Sequence, residues 1–381
     1  MSSDNAPTPI GLAIIGCGTI GRIRGLLARD HPAVQWIGLC DIVEERAREL
    51  ADDLGADYYT TDLDDLLARP EVNATIIATH ELHHPRPTLS AVDRGHALFI
   101  EKPLATNVHE SLEVYQAISE SGVDAVMGYT QRFRRRYLTV KERLRTGQIG
   151  EIDSVTTRAL LNRVAPETGI IRTPEDQRQG WTPMNVNGTH AVDLSMWFME
   201  GKEPVEVYAR STDKVLGQYG IDNSTFGIVT MDDGAIWSLS LSVGMPVAWP
   251  AAVYGIDIAI VGTKGAVTID DNHRDLILAS EYPQDARYQD ADGWQPAQER
   301  HVEFLTSYPP GDQAFGQLWG PMREETNSWF ARVSIGLETP HATAAEGHRN
   351  AVLTAAFDVA AKRGVPVQLP PDLDDIAAEL A

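Results

Sequence analysis

The sequence predicts an α/β fold with two domains, and three observations lead to this prediction. The chain has 381 residues, more than a single hydrophobic core usually organises. Up to Gly128, short apolar segments alternate with amphipathic ones, which is typical of a doubly wound parallel sheet. Beyond Gly128 the alternating segments become longer, with hairpin turns between them. We therefore expect a doubly wound domain at 1–128 and, at 129–381, an α+β domain with a large, mostly antiparallel open sheet.

The first strand and the turn after it predict a dinucleotide site of the Rossmann type. Residues 10–15 form an apolar run typical of a buried parallel strand, and residues 20–29 predict a helix. In the turn between them Gly16 permits a tight bend, Gly18 lets the backbone approach a pyrophosphate, and Gly21 allows close helix packing. The helix N-terminus favours the phosphate charge. The residues expected to contact the dinucleotide here are Gly16, Gly18, Thr19, Ile20 and Gly21.

The second strand, predicted at residues 34–40, ends at an acidic residue, Asp41. A carboxylate at this position accepts hydrogen bonds from ribose hydroxyls and repels a 2′-phosphate. NAD is therefore favoured as cofactor over NADP. Arg46 lies close enough in the sequence to keep NADP open.

Three further strands and two helices continue the first domain. The strands are predicted at 74–79, 97–100 and 123–128, and the helices at 85–94 and 109–121. Ligands of such sheets bind at the carboxyl ends of the strands. We therefore expect Thr79, Glu101 and Lys102, which end two of these strands, to lie beside the dinucleotide.

The second domain is predicted to consist mainly of five strands with two helices. The strands are expected at 151–161, 204–211, 224–231, 235–243 and 254–261. The helices are expected around 190–199 and at 346–362. Turn sequences at 232–234 and 262–265 separate neighbouring strands, which favours antiparallel pairing.

The composition excludes several classes of protein. The formal net charge of −22 argues against binding to nucleic acids or anionic membranes, because both are polyanions. No apolar stretch is long enough to span a bilayer, and residues 1–9 lack the pattern of a signal peptide. We therefore expect a cytoplasmic protein with a small-molecule partner.

The two cysteines and a group of three histidines contain atoms that could bind a metal. Cys17 and Cys40 fall in the glycine turn and at the end of the second strand, with no disulfide or metal-cluster spacing. His80, His83 and His84 lie close together, but a loop at the end of a strand explains them better than a metal does. We expect no metal site.

Four separated motifs in order resemble those of the Gfo/Idh/MocA family, named after glucose-fructose oxidoreductase, inositol dehydrogenase and a rhizopine-catabolism oxidoreductase. The resemblance covers nearly the whole chain, and a fifth segment, Gln131-Arg132-Phe133, resembles the one that opens the family's second domain. The four motifs are Gly16 to Gly21, Thr79 with His84, Glu101-Lys102-Pro103, and Gly188-Thr189-His190-Ala191-Val192-Asp193.

The resemblance implies roles for residues of these motifs. Lys102 would hydrogen-bond the reacting oxygen beside the nicotinamide, and its charge would stabilise a developing alkoxide. His190 would act as general acid/base, for which imidazole is suited because it titrates near neutrality. Asp193 would orient His190 or bind a substrate hydroxyl. Arg132 and Asn187 are further candidates for substrate binding, and His84 joins the residues expected near the cofactor.

The sequence departs from the family pattern at several positions. Val186 stands where the family often has an aspartate, four residues before the histidine. The flanking Asn185 and Asn187 can bind a hydroxyl but cannot act as bases. His80-Glu81 replaces the family's Pro-Asn, and Thr130 replaces its asparagine. The identity of the substrate is therefore the least transferable part of the resemblance.

The resulting hypothesis is an NAD(P)-dependent oxidoreductase that interconverts a secondary hydroxyl, or hemiacetal, and a carbonyl on a sugar, cyclitol or related polyol. Two alternatives stay open. One is a glycoside-cleaving enzyme that recycles NAD internally through oxidation, elimination and reduction, and the other is a non-catalytic dinucleotide-sensing regulator. Retention of both Lys102 and His190 argues against the regulator. Similar proteins are homodimers or homotetramers, and we expect one of these assemblies.

Overall fold

The computed structural model describes residues 6–163, 182–246, 255–271, 276–284, 300–305 and 311–380. The chain divides into two compact units. The first unit comprises Met1–Phe133 and Gln313–Ala351, and the second comprises Arg134–Asp312 and Val352–Ala381. Residues 313–351 therefore belong to the first unit, although the division predicted at residue 128 places them in the second domain.

The strands are numbered here in chain order. Those up to residue 212 are β1 Ile10–Ile15, β2 Val34–Cys40, β3 Tyr58–Thr60, β4 Ala74–Ile77, β5 Ala97–Glu101, β6 Ala125–Gly128, β7 Ile152–Asn162 and β8 Pro204–Thr212. The later ones are β9 Ser224–Met231, β10 Ile236–Met245, β11 Gly255–Gly262, β12 Gly265–Ile269, β13 Leu276–Gln284, β14 Arg300–Leu305, β15 Asp312–Ala314, β16 Gln317–Trp319, β17 Ala342–Thr343 and β18 Val367–Gln368.

The helices are numbered in the same way. They are α1 Thr19–Arg29, α2 Glu44–Leu54, α3 Leu63–Leu67, α4 Pro85–Val92, α5 Val108–Ser121, α6 Arg135–Arg145, α7 Thr189–Phe198, α8 Pro321–Ile335, α9 Ala344–Arg363 and α10 Leu373–Leu380. Short 3₁₀ turns lie at Glu81–His83, Thr130–Phe133 and Gly217–Tyr219, and a π-helical turn at Met184–Gly188 leads into α7.

The sheet of the first unit has seven strands in the order β17-β6-β5-β4-β1-β2-β3. All neighbouring pairs are parallel except the edge pair β17 and β6, in which Ala342 lies opposite Met127. The expected doubly wound parallel sheet is confirmed. The antiparallel edge strand β17 lies within residues 313–351, which the predicted division placed in the second domain.

The central strand β1 explains why the first unit needs helices on both faces of its sheet. All six of its residues are buried, and successive side chains point to opposite faces. Leu12 and Ile14 pack in one cluster with Leu50 of α2 and Trp329 of α8. Ala13 packs in the other cluster, whose residues come from α3, α4 and α5 and from the neighbouring strands.

Among the residues that the structure describes, the sheet of the second unit also has seven strands, in the order β12-β11-β7-β10-β9-β8-β18. Only the central pair β7 and β10 is parallel, and the other described pairs are antiparallel. The expected mostly antiparallel sheet is therefore confirmed. Residue 254 of the strand expected at 254–261 lies outside the described residues, and β11 accounts for the rest of it.

Helix α8 was not anticipated from the sequence, although its ends carry ordinary signals. Pro321 occupies its first position, and Gly336 ends it in the left-handed conformation with φ 69°. Its buried positions repeat at helical spacing, at Met322, Glu325, Thr326, Trp329 and Phe330. Because two of these five side chains are polar, the apolar periodicity that predicts a helix is incomplete.

None of the helices among the described residues is long and apolar enough to cross a membrane.

Candidate functional site

Two of the three glycines in the turn after β1 are tightly packed, and the third faces open space. Gly16 has φ 96°, and a Cβ there would lie 2.5 Å from the carbonyl oxygen of Ala78. A Cβ at Gly21 would lie 1.9 Å from the carbonyl oxygen of Gly16. A Cβ at Gly18, by contrast, would meet no atom within 4 Å. Gly16 and Gly21 are therefore required by the turn itself, whereas Gly18 leaves room for a ligand to approach the backbone.

Gly18 is also the residue that precedes the first turn of α1. It has no side chain that could bond to the amide groups at the start of the helix. A helix start without such a side chain keeps its dipole and amide groups directed towards an incoming anion.

Asp41 connects the end of β2 to the glycine turn. One carboxylate oxygen accepts a hydrogen bond from the amide of Cys17 at 2.8 Å, and the other from the amide of Val43 at 2.9 Å. The residue is only 9 % exposed. Each carboxylate oxygen can accept more than one hydrogen bond, so Asp41 keeps acceptor capacity for a ribose hydroxyl.

Ile42, which follows Asp41, is 90 % exposed. An exposed aliphatic side chain beside the Asp41 carboxylate offers a surface on which a flat apolar ring can pack. Ile42 was not among the predicted site residues, although its position directly after a strand-end acid was available as a signal.

Thr79 and His84 occupy the loop that follows β4. The Thr79 hydroxyl oxygen is buried and has no hydrogen-bond partner among the described residues. His84 is 1 % exposed, and its Nδ1 and Nε2 lie 2.7 Å and 3.2 Å from the carbonyl oxygens of Pro103 and Thr79. Burial lowers the pKa of His84, so a neutral ring donates to one of these two carbonyl oxygens. His84 thus joins the loops after β4 and β5 from inside the unit.

Glu101 and Lys102 lie at the carboxyl end of β5. Glu101 is 8 % exposed, and its Oε1 accepts hydrogen bonds from Nε and Nη2 of Arg24 at 3.0 Å and 2.7 Å. A Cβ on Gly128, the last residue of β6, would lie 2.9 Å from Glu101 Oε2. Lys102 is half-buried, and the Lys102–Pro103 peptide is cis. Arg24 therefore anchors Glu101, the residue that precedes the lysine.

Arg24 and its partner Glu325 were not identified from the sequence as parts of this site. Arg24 is 0 % exposed in the middle of α1, and its Nη2 also donates to Oε2 of Glu325 at 2.6 Å. For Arg24, the available signal was an arginine on the face of an amphipathic helix that packs against the sheet. For Glu325 no local signal existed, since α8 itself was not predicted.

In the second unit, Asn187, His190 and Asp193 follow one another at three-residue intervals through the π-helical turn and α7. They are 7 %, 6 % and 3 % exposed, respectively. The side-chain oxygen of Asn187 is buried without a hydrogen-bond partner among the described residues. The spacing brings the three side chains onto neighbouring turns of one helical path.

Two contacts hold this segment in the second unit. Thr182 donates a hydrogen bond to Asp358 at 2.6 Å and accepts one from the amide of Asn185 at 3.0 Å. Ser195 of α7 lies 2.7 Å from the hydroxyl of Thr157 on β7. The first contact anchors the start of the segment, and the second packs α7 on the sheet.

Arg132 lies in the first unit and is 2 % exposed. Its Nη2 donates to Oε1 of Glu346 at 2.8 Å. Burial alone would raise the pKa of Glu346, but the charge of Arg132 lowers it below its ordinary value. In the second unit, Arg134 and Arg136 both pair with Asp271, at 2.5 Å and 2.9 Å. A role for Arg132 in substrate binding stays a prediction.

Within the described ranges, no three histidine, cysteine or acidic side chains are grouped as a metal ion would require. His80 Nδ1 accepts a hydrogen bond from the amide of Leu82 at 3.4 Å. Cys17 and Cys40 are both free and buried. Burial raises the pKa of each thiol, that of Cys40 to about 11.

The doubly wound sheet and its glycine turn, with an acid at the end of the second strand, are the features of a dinucleotide-binding domain. Residues 10–129 match the model of the oxidoreductase family with the NAD-binding Rossmann fold, and residues 137–268 match that of the GFO/IDH/MocA C-terminal domain. The chain belongs to the Gfo/Idh/MocA oxidoreductase family. The resemblance recognised in the motifs is thereby confirmed.

Two curated relatives and one solved structure illustrate the similarity. The inositol 2-dehydrogenase of Gluconacetobacter diazotrophicus is 29 % identical over 275 residues, which cover 69 % of this chain and 74 % of the relative. Inositol 2-dehydrogenase 2 of Saccharopolyspora erythraea is 25 % identical over 373 residues, covering 95 % and 96 %. The apo scyllo-inositol dehydrogenase of Lactobacillus casei superposes with a TM-score of 0.75 at 18 % identity, covering 96 % of this chain and 99 % of that one, which is a likeness of fold.

Proposed function

We propose that the protein is an NAD-dependent dehydrogenase that interconverts a secondary hydroxyl and a carbonyl on a cyclitol, sugar or related polyol. Relatives named inositol 2-dehydrogenase, one of them aligned along nearly the whole chain, support this class of substrate. The observation that carries the proposal is the pairing of the open turn at Gly18 with a half-buried lysine at the end of β5 in the same unit.

The residues of the first unit fit NAD. The space beside Gly18 suits a pyrophosphate, Asp41 keeps acceptor capacity for the ribose hydroxyls, and the buried hydroxyl of Thr79 has no protein partner among the described residues. The Asp41 carboxylate would repel the 2′-phosphate of NADP, so we propose NAD as the preferred cofactor. When bound, NAD supplies a hydride acceptor at the C4 position of its nicotinamide.

We assign the proton chemistry to Lys102 and His190. The Lys102 ammonium group would hydrogen-bond the substrate oxygen and stabilise the negative charge that develops as its proton leaves. The His190 imidazole would accept that proton in oxidation and return it in reduction. Asn187 and Asp193, close in sequence to His190, would bind neighbouring hydroxyls of a polyol, and the buried side-chain oxygen of Asn187 supports such a role.

A spectrophotometric screen tests this proposal. NAD reduction is followed at 340 nm with a panel of cyclitols, aldoses, uronates and anhydrosugars, with NADP in parallel. We expect reduction with one class of polyol, loss of turnover by a factor of at least about 100 in Lys102→Ala, and unchanged NAD binding. The matched control is Lys214→Ala, which removes an exposed lysine of the second unit. Full turnover in Lys102→Ala would refute the assigned role.

For the assembly, we propose a homodimer or homotetramer formed through the exposed face of the second unit's sheet. Phe226, Ile228 and Ile236 lie on that face and are 58 %, 51 % and 51 % exposed. An apolar patch of this kind supports contact with a second copy of the chain. Light scattering of the wild type and of Phe226→Ser tests it, with a smaller mass expected for the variant.

A further inference from the structure

The guanidinium of Arg24 is completely satisfied inside the first unit. Its Nε and one Nη2 hydrogen are donated to Glu101 Oε1, and the other Nη2 hydrogen to Glu325 Oε2. Nη1 donates to the carbonyl oxygen of Met322 at 3.3 Å and to the hydroxyl of Thr326. All five N–H donors of the side chain are thus used, and no surface of Arg24 is exposed.

The guanidinium of Arg24 therefore donates hydrogen bonds to two buried carboxyl groups. Glu325 is 0 % exposed, and its Oε2 accepts both from Arg24 and from the hydroxyl of Thr130 at 2.7 Å. Its Oε1 is buried without a hydrogen-bond partner among the described residues. If both carboxyls were ionised, the cluster would carry an uncompensated negative charge away from water, which is costly. A proton on one carboxyl removes that charge.

We propose that Glu325 is a positioning residue for Glu101 and Lys102, and that its carboxyl, by taking up or releasing a proton, sets how strongly Arg24 holds Glu101. With Glu325 protonated, the charge of Arg24 acts on Glu101 alone. When the proton leaves to solvent, the ionised Glu325 competes for the same Nη2 group and repels Glu101. The inference rests on the proposed role of Lys102, which follows Glu101 directly.

The neighbouring His341 does not titrate in place of Glu325. Burial raises the pKa of Glu325 to about 7, and the negative charge of Glu101 adds to this effect against the opposing charge of Arg24. His341 also faces it, since its Nε2 lies 3.1 Å from the Glu325 backbone oxygen. Burial, aided by the charge of Arg24, lowers the pKa of His341 to about 3, so this ring stays neutral near pH 7.

The test uses Lys102 as a reporter in the full chain and needs no substrate. The chain has six lysines, so ¹³C-labelled reductive methylation gives a small set of NMR signals, and Lys102→Arg identifies the Lys102 signal by its loss. We expect the wild-type Lys102 signal to shift with an inflection near pH 7 that disappears in Glu325→Gln. The exposed Lys214 serves as internal control and is expected to show no such inflection. An absent wild-type inflection, or an unchanged one in Glu325→Gln, overturns the proposal.

A second pair of variants keeps the test decisive if Glu325→Gln fails to fold. The Thr130 hydroxyl donates to Glu325 and favours its ionised form, so Thr130→Val should move the inflection to higher pH. Thr130→Ser, which keeps the hydroxyl, should leave it near the wild-type value. An inflection that is the same in both variants contradicts the proposal. Turnover in Lys102→Ala tests the proposed function separately. If Lys102→Ala is inactive but the wild-type Lys102 signal shows no inflection, only the role of Glu325 is refuted.

Discussion

Arg24 and Glu101 are 77 residues apart in the sequence, and the guanidinium of the first donates two hydrogen bonds to a single oxygen of the second, at 2.7 Å and 3.0 Å. Arg24 lies in the helix that follows the glycine turn, and Glu101 precedes Lys102. The contact therefore ties the helix of the proposed cofactor site to the residue that precedes Lys102, which is proposed to act on the substrate.

Replacement of Arg24 by lysine is expected to destabilise the fold. Lysine offers three donors from a single point where the guanidinium offers five in a planar fork, so buried acceptors would lose partners. Lysine keeps the charge, but a buried acceptor left without a donor costs about 1–3 kcal/mol, and we expect Arg24→Lys to lower the free energy of unfolding by at least that amount.

Urea unfolding of Arg24→Lys measures this loss, with Arg22→Lys as the control on the same helix. Arg22 pairs with Asp53, and both side chains are more than two-fifths exposed. Exposed pairs of this kind contribute at most about 1 kcal/mol. Equal losses in the two variants would contradict a special role for the buried cluster.

Two glycine substitutions separate folding from ligand binding. Gly16→Ala places a Cβ 2.5 Å from the Ala78 carbonyl oxygen at a positive φ, so we expect a clear loss of stability. Gly18→Ala meets no protein atom within 4 Å, so its melting temperature should stay near that of the wild type. Its affinity for NAD should nevertheless fall, because the added methyl group occupies the space proposed for the pyrophosphate. Calorimetry of NAD binding checks this, and unchanged affinity in Gly18→Ala would place the pyrophosphate elsewhere.

The stability of the protein is expected to depend on pH through Glu325. Its pKa rises from an ordinary value of 4.5 to about 7 in the folded chain, so between these values the folded state holds a proton that the unfolded chain has released. The stabilisation linked to that proton is complete below pH 4.5 and is lost as the pH rises through about 7. One such proton contributes a slope of up to about 1.4 kcal/mol per pH unit.

Unfolding free energies of wild type and Glu325→Gln between pH 5 and pH 8 measure this contribution. Glutamine cannot ionise, so we expect the variant to lose stability less steeply with rising pH than the wild type does. Parallel curves would show that Glu325 has the same pKa in the folded and unfolded chains.

The choice between NAD and NADP is expected to depend on the charge of Asp41. Asp41→Asn removes the charge while keeping an oxygen that can accept from the Cys17 amide. We expect the ratio of kcat/KM for NAD to that for NADP to fall by at least about tenfold, which corresponds to about 1.4 kcal/mol. Asp53→Asn, an exposed carboxylate in helix α2, is the control and should leave the ratio unchanged. A constant ratio in Asp41→Asn would assign the discrimination to another residue.

The elements predicted best are those whose signal is local. The strands expected at 10–15 and 34–40 agree with the observed bounds of β1 and β2. Apolar runs of this length between a glycine turn and a helix leave few alternatives, because a strand covered on both faces needs apolar side chains throughout. The glycine turn was predictable from the spacing of its three glycines between a predicted strand and a predicted helix.

Helix α8 and the cluster at Arg24 required the tertiary structure. Glu325 and Thr326 occupy buried positions of α8, and their polarity interrupts the pattern that predicts a helix. What makes their burial acceptable is the guanidinium of Arg24, about 300 residues earlier in the chain. The sequence by itself therefore determined the doubly wound sheet, the glycine turn and the strand-end positions of Asp41 and Lys102, because these follow from the periodicity and sterics of neighbouring residues. Only the tertiary structure decided which charges are buried together, because the pairing of ions depends on distances in space that no local pattern encodes.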